Sequence, residues 1–448
     1  MTGWPTAQAL LFAMSVVAII AAIRARFHPF FVLTVVATAF GLIAGLSVGP
    51  IGKAFGNGFS DALYSPGLVI VAMALVAGIA ERTVPAGNFA AVTSRLWPNG
   101  GCVQAAVGLI AGIGASPAAA LALLTPLLQS ADAKPSRERD VTCLTLAISA
   151  GHGLIYLSPV PVACAAILGA SWQPVALFGV PVALISAAVG VGWARLVAAP
   201  HVPVQPTISD QSSVKARPDG KAAALLLAAC FIPLLMLMTQ SIGDMPSEPL
   251  GGGTSRELVL GIGRPLVLFL ISVGIVIVGS WRLSLKCLKD PEWTGRILGN
   301  TAGIILTVGA AGGLQRLCQQ TGMSELLGER LSGWHVTGAA GVLVPFLVAT
   351  VIKTLQGSSL VAAITAAGMM QPLLLSLGLG SDNGTALAAL AVGVGAMTGS
   401  HVNDDFFWLA SYVAGGSPLR TLGTFSLGTL LQGFTAVAML LLFAMHWA

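Results

Sequence analysis

Charge is the scarcest commodity in this 448-residue chain: Asp, Glu, Lys and Arg together make up 9% of it. A soluble domain carries roughly 25%, so these residues cannot cover a water-facing surface, and a soluble enzyme or binding module is excluded. Paired cysteines are also missing. Cys102, Cys143, Cys164, Cys230, Cys287 and Cys318 are scattered, with no C-x-x-C pair and no histidine at metal-ligand spacing. They read as small core residues, and neither a metal site nor a cofactor is expected. No G-x-S-x-G elbow, H-E-x-x-H motif or cofactor loop occurs, which argues against an enzyme embedded in a membrane. The net charge of +5 does not signal nucleic acid, because the basic residues fall in short loops between apolar runs, the pattern that orients membrane helices.

What the chain does have is apolar length. Hydrophobic residues make up 55% and mean hydropathy is +0.87. Runs of roughly 20 apolar residues, enough to cross a bilayer core, recur throughout. The 54 glycines fit helices that pack closely or break. The run from Trp4 to Ile23 has no base before it and is followed by Arg24 and Arg26. A cleavable signal wants the opposite order, so this is expected to be a retained helix with its N-terminus outside.

From there the spans can be walked. Spans are expected at Pro29–Leu46 and Pro66–Ala80, with an external loop around Asn57–Ser65 holding Asp61. Val103–Leu128 is interrupted at Gly112–Pro117 and flanked by the bases Arg82, Arg95, Lys134, Arg137 and Arg139. This reads as a re-entrant hairpin over about 101–130 or, alternatively, two short full spans. A broken span follows over about 141–170, interrupted near Gly151-His152-Gly153 and Ser158-Pro159, and then a continuous span over Val175–Val197. Residues 201–221 form a cytoplasmic linker rich in Pro, Ser and charge. The second half, 222–448, repeats the plan. Spans at Ala222–Met238 and Pro265–Ser280 enclose an external loop with Asp244, Glu248 and Glu257, and a further span follows at Ile297–Leu317. A second hairpin over about 335–380 breaks at Gln356–Ser359, a second broken span over 386–414 breaks at Gly399–Asp405, and a final span runs from Leu422 to Phe443. The fold class expected is an all-α polytopic membrane protein of two inverted repeats, with about ten full spans plus two re-entrant hairpins with broken helices.

The repeat has support in residues. Val76–Arg82 resembles Ala311–Leu317, and Ala147–His152 resembles Gly395–His401. Unwound helix at mid-membrane leaves N–H and C=O groups that protein, water or solute must satisfy, and half-helix N-termini suit a carboxylate. Singly, each break also reads as a packing kink; breaks in register between halves point to a transport site. The polar residues there are candidates. Lys353 is either the counter-charge of an anion or a snorkelling side chain. His152 either binds substrate hydroxyls or satisfies a neighbouring carbonyl. Ser116, Ser149, Ser358 and Ser359 suit hydroxyl partners, although serine also packs helices. Gln356, Gly357, His401 and Asn403 join the substrate-binding set. Asp404 and Asp405 are candidate proton-coupling groups, one of them alternatively a helix cap.

The strings Gly357-Ser358-Ser359-Leu360-Val361 and Ser400-His401-Val402-Asn403-Asp404-Asp405-Phe406-Phe407-Trp408-Leu409 resemble those of the gluconate permease family (GntP). Arg26-Phe27-His28-Pro29-Phe30 and Gly151-His152-Gly153-Leu154 do as well, so the likeness spans nearly the whole chain. The resemblance implies a multi-pass protein of the bacterial inner membrane that imports gluconate or a related sugar acid by proton symport. It also implies a homodimer, since the wider superfamily consists of dimeric ion transporters. Some family members take D-serine, so a D-serine or other small-carboxylate carrier, sodium-coupled in one version, is the alternative. The partners implied are a small organic anion, protons and the lipid bilayer, with no nucleic acid. Asp404 directly follows Asn403 in the family-like string, which favours it over Asp405 for coupling. Where the family continues after His-Gly-Leu with two prolines, a histidine and a proline, this chain has Ile155-Tyr156-Leu157-Ser158-Pro159-Val160-Pro161. That drier wall suits a smaller or less hydroxylated carboxylate. A channel is the remaining class, and it would need a continuous polar path rather than polar residues gathered at breaks.

Overall fold

With so little charge to solvate, backbone N–H and C=O groups are the chain's main polar inventory, and the helix is the element that pairs them without outside help. The computed structural model describes residues 5–83, 101–114, 116–129, 137–197, 220–245, 248–321 and 336–447, and every regular element within them is a helix. The first half holds α1 (Pro5–Arg24), α2 (Pro29–Ile43), α3 (Val48–Ala62), α4 (Leu68–Thr83), α5 (Cys102–Ala111), α6 (Pro117–Gln129), α7 (Arg137–Leu154), α8 (Pro159–Leu168) and α9 (Trp172–Val197). The second holds α10 (Gly220–Gly243), α11 (Thr254–Ile262), α12 (Pro265–Gly279), α13 (Trp281–Leu288), α14 (Pro291–Gln320), α15 (Leu343–Gln356), α16 (Ser359–Met370), α17 (Asp382–Met397), α18 (Asp405–Ala414), α19 (Pro418–Thr421) and α20 (Leu427–Trp447).

Proline sets many of the starts. Its missing N–H costs nothing at the first helical position, and α2, α6, α8, α12, α14 and α19 all begin on one. Side chains often finish the cap. Asp290 accepts from Glu292 N and Trp293 N at 3.1 and 3.2 Å, and Ser417 accepts from Arg420 N at 3.3 Å.

Five helical stretches among the described residues are long and apolar enough to cross a membrane: Arg137–Leu168, Trp172–Val197, Pro291–Gln320, Gly338–Gln356 and Pro418–His446. A sixth forms if α11 and α12, bent by 59°, count as one. The ten or so spans expected are not reached by this measure, because several apolar runs fold as helices of only 10–17 residues. The outward faces are apolar: Phe31, Leu177, Leu184, Leu270, Phe434 and Leu442 are each at least half exposed. That is the inverse of a soluble bundle and matches lipid as the solvent.

Sequence and structure part at two places. Asn57–Ser65, expected as an external loop, is helical, since α3 runs to Ala62 and passes through a π turn at Leu63–Gly67 into α4. Glycine and polar residues hid the helical spacing of Ile51, Ala54, Gly58 and Ala62, all buried. In the first broken span Gly151-His152-Gly153 stay inside α7, and the break falls at residues 155–158. The linker expected at 201–221 lies outside the described residues up to Gly220, as do Arg95 and Lys134.

Two helix crossings explain why glycine sits mid-helix. A Cβ on Gly153 would stand 2.9 Å from the Gly393 carbonyl, and one on Gly393 would stand 2.2 Å from that of Gly153. α7 and α17 therefore cross backbone against backbone. Gly58 and Gly312 make the same reciprocal contact between α3 and α14, at 2.2 and 2.5 Å. Each crossing joins one helix of the first half to one of the second. The helix order α5 to α9, two interrupted pairs and then a long helix, recurs in α15 to α20. α7 and α17 are buried over nearly their whole lengths.

Candidate functional site

Three helix breaks meet beside α7. The first lies between α5 and α6, the second between α15 and α16, and the third between α17 and α18. They enclose a cavity of about 190 Å³, room for about six water molecules. Ser116, Pro117 and Ala118 at the start of α6 contribute one wall, and Ser358, Ser359 and Leu360 at the start of α16 another. Asp404, Asp405 and Phe406 at the start of α18 form a third, with Ser149, His152 and Gly153 of α7 behind them. Three helix N-termini thus converge on one space. Each brings N–H groups that its own helix cannot satisfy, together with partial positive charge.

Not all of that charge is available. Asp404 caps α18 by accepting from Phe406 N at 3.0 Å, and Asp405 Oδ1 accepts from the same N–H at 2.8 Å. At α6, Ser116 Oγ accepts from Ala119 N at 3.2 Å, and at α16, Ser358 Oγ accepts from Val361 N at 3.4 Å. The earlier N–H groups of those helices, on Ala118, Ser359 and Leu360, have no intrahelical acceptor and belong to residues lining the cavity. The first hairpin is tied to α7 by His152, whose Nδ1–H donates to the Gly112 carbonyl at 3.2 Å. The Ser158 hydroxyl donates in turn to the His152 carbonyl.

Lys353 is the main departure from expectation. It is 1% exposed and absent from the cavity lining. Its ammonium donates to Asp404 Oδ2 at 2.6 Å and to the Gly357 carbonyl. It is therefore neither an exposed counter-charge nor a snorkelling side chain. Asp404 Oδ2 also accepts from Ser400 Oγ at 2.5 Å.

The rest of the string Ser400–Asp405 finishes the end of α15. A helix C-terminus leaves carbonyls without donors. Here Thr354 O receives His401 Nε2 at 3.0 Å and Asn403 Nδ2 at 2.8 Å, and Leu355 O lies 3.3 Å from the same amide. Gly357, at φ +80°, turns the chain between the hairpin arms, and a Cβ there would stand 2.3 Å from Asn403 O. Gln356 is buried outside the lining. Of the expected site residues, then, Ser116, Ser149, His152, Ser358, Ser359, Asp404 and Asp405 line the cavity. Lys353, Gln356, Gly357, His401 and Asn403 do not; the contacts above make Lys353, Gly357, His401 and Asn403 the seat that locks the second hairpin to the third break. The physical reason is that a hairpin tip exposes more orphan backbone groups than a solute alone can satisfy.

Gln315 and Ser400 were missed as lining residues, as were the apolar Val160, Met397 and Phe406. A signal existed for the first two. Gln315 is an amide in a glycine-rich apolar helix, and Ser400 opens the string that carries the family likeness.

The seat yields a direct prediction. Gly357→Ala combines left-handed backbone strain, worth about 1–3 kcal/mol, with a clash against a carbonyl. Thermal unfolding in detergent should show a clearly lowered midpoint. Gly416→Ala, which meets nothing within 4 Å, should leave the midpoint unchanged; equal behaviour of the two variants would refute the seat.

A polar cavity closed by interrupted helices inside an apolar helical bundle defines a multi-pass membrane protein built for transport. The chain belongs to the GntP family of permeases, whose profile it matches over residues 8–446. That family is a class of transport proteins rather than enzymes. The chain is 25% identical over 433 residues to a gluconate permease of Pseudomonas aeruginosa, covering 94% of this chain and 93% of the relative. It is 26% identical over 454 residues to a gluconate permease of Zymomonas mobilis, covering 96% of each. It is 25% identical over 437 residues to the D-serine transporter DsdX of Escherichia coli, covering 94% and 95%.

Proposed function

We propose that this chain is a secondary active transporter of the bacterial inner membrane that imports gluconate, a related sugar acid or a small hydroxy-carboxylate by proton symport. One observation carries the reading: the N-termini of α6 and α16 face one cavity, each with first-turn N–H donors free for a carboxylate. Ser116, Ser149, Ser358, Ser359, His152 and Gln315 around them supply the mixed donors and acceptors that a hydroxylated chain requires. The relatives' names, two gluconate permeases and a D-serine transporter, agree with a small carboxylate. The recurring helix order and the two reciprocal glycine crossings support two repeats of opposite orientation, in which the short apolar helices complete about ten spans and two re-entrant hairpins. A homodimer is part of the same proposal.

Protons are proposed to enter through the aspartate pair. Lys353 neutralises Asp404, whereas Asp405 lines the cavity without a Lys or Arg at ion-pair distance among the described residues. Asp405 is therefore the better coupling group, with Asp404 and Lys353 as its fixed background. The same carboxylate, with no cationic side chain at ion-pair distance among the described residues, favours the second reading, a D-serine carrier, because an ammonium on the solute would pair with it.

The test is uptake into proteoliposomes of purified protein, with labelled gluconate, other aldonates and D-serine offered singly under an inward proton gradient, a sodium gradient, or neither. Gluconate or a near relative should accumulate only with the proton gradient and lose accumulation on addition of a protonophore. Accumulation of D-serine alone, or with sodium alone, would replace this reading.

A further inference from the structure

We infer that the cavity of about 220 Å³ between α3 and α14 is an antechamber, in which Arg316 holds the solute's carboxylate before it reaches the central cavity. The inference rests on the carboxylate-carrier reading above and adds a second binding station to it. Gln315, Ser358 and Asp405 line both cavities, so three side chains form the partition between them. The lining also takes in Gly58 and Gly312, where the backbones of α3 and α14 touch. Arg316 lines this space, is exposed, and has a 3.4 Å contact with Gln319 Oε1. Asp61 stands in the same lining.

Charge placement gives the antechamber its role. Among the described residues, Arg316 is the only Lys or Arg in the lining of either cavity, because Lys353 lies behind Asp404. A carboxylate approaching this side therefore meets a guanidinium, which can take it in a two-pronged grip. Asp405 stands in the partition between this chamber and the central one. The partition shared with Asp405 makes transfer inward favourable once that carboxyl carries a proton. Asp61, in the same lining, repels a plain anion but attracts a solute that also bears an ammonium. The pair thus sorts hydroxy acids from amino acids before the central site is reached.

Local charge can be measured without transport. In a Cys102→Ser background, Gln319→Cys places a thiol in the antechamber. The anionic sulfonatoethyl methanethiosulfonate and the cationic trimethylammonium-ethyl reagent then compete for it. Adding Arg316→Gln should lower the anion-to-cation rate ratio about tenfold, the scale of field focusing in a charged cleft. Adding Asp61→Asn should raise the ratio. In uptake assays Arg316→Gln should raise the KM for gluconate about tenfold with the maximal rate held, and Arg316→Lys should recover part of the loss. Asp61→Asn should lower the KM for gluconate and raise that for D-serine. An unchanged reagent ratio overturns the antechamber whatever the protein carries. An unchanged KM in Arg316→Gln, in a protein that does transport gluconate, overturns it while leaving the carrier reading intact. Wild-type protein that transports neither solute overturns the carrier reading, and the reagent ratio still decides whether this cavity gathers anions.

Discussion

Lys353→Met should destabilise the protein by about 3–5 kcal/mol, the usual cost of removing one partner of a buried ion pair. The Lys353 side chain is 1% exposed and the Asp404 side chain 6%, with 2.6 Å between the charged atoms. Without Lys353, Asp404 retains the Ser400 hydroxyl and Phe406 N–H but faces a low-dielectric interior with its charge uncompensated. The Gly357 carbonyl loses its donor in the same step. The variant should therefore reach the membrane poorly and unfold early in detergent. Removing both charges together, as Lys353→Met with Asp404→Leu, should recover more than half of the loss, because a buried pair replaced as a pair costs little. The residual deficit is the lost cap on α18, worth about 0.5–2 kcal/mol. Unfolding midpoints of the two single variants and the double form a cycle. If Lys353→Met unfolds like wild type and loses only affinity for solute, the ammonium serves the substrate and the pair is incidental.

That prediction reverses what the residues alone suggested for Lys353, and the reversal shows where the sequence stops being informative. A lysine three residues before Gln356 in an apolar run announces an unusual charge, and the string Ser400–Asp405 announces a polar break. Nothing in either string says that they touch. The contact spans 51 residues of chain and follows from how α15 lies along α17. By contrast, the helix breaks were legible, because proline and glycine act locally: Ser116-Pro117, Ser158-Pro159 and Gly357 stop or start helices by their own backbone chemistry. His152 was legible only as a choice between two roles. The structure shows its bond to the Gly112 carbonyl and places it in the cavity lining.

Glycine misled where it served packing instead of breaking. Gly151 and Gly153 look like a helix interruption, yet they lie within α7. Gly153 is small so that α17 can pass, and only its partner Gly393, far along the chain, gives that away. The segments paired by sequence likeness do not coincide with the reciprocal crossings. Gly78 of the first pair packs on Trp293 and Ile297, whereas Gly312 of its counterpart packs on Gly58. Spacing of small residues marks a close approach; it does not say to what.

Asp405→Asn should abolish concentrative uptake while sparing exchange. Two carboxylates and one ammonium share the mouth of α18, and the shared Phe406 N–H holds both acids close. With Asp404 matched to Lys353, the remaining negative charge resides on Asp405 at the cavity wall. A solute carboxylate entering that cavity is repelled by ionised Asp405 and accepted when Asp405 is protonated. Linkage then requires the converse: bound solute favours the proton on Asp405, and the two cross together. Asparagine is a permanent mimic of the protonated form. It should bind solute and support counterflow of labelled gluconate between equal pools, but an imposed gradient of one pH unit, which can sustain about tenfold accumulation per proton, should yield none. Asp404→Asn is the discriminating companion. It strands Lys353 and should lose stability as well as uptake, whereas Asp405→Asn should unfold at the wild-type midpoint. Full gradient-driven accumulation by Asp405→Asn would move the proton path away from this pair.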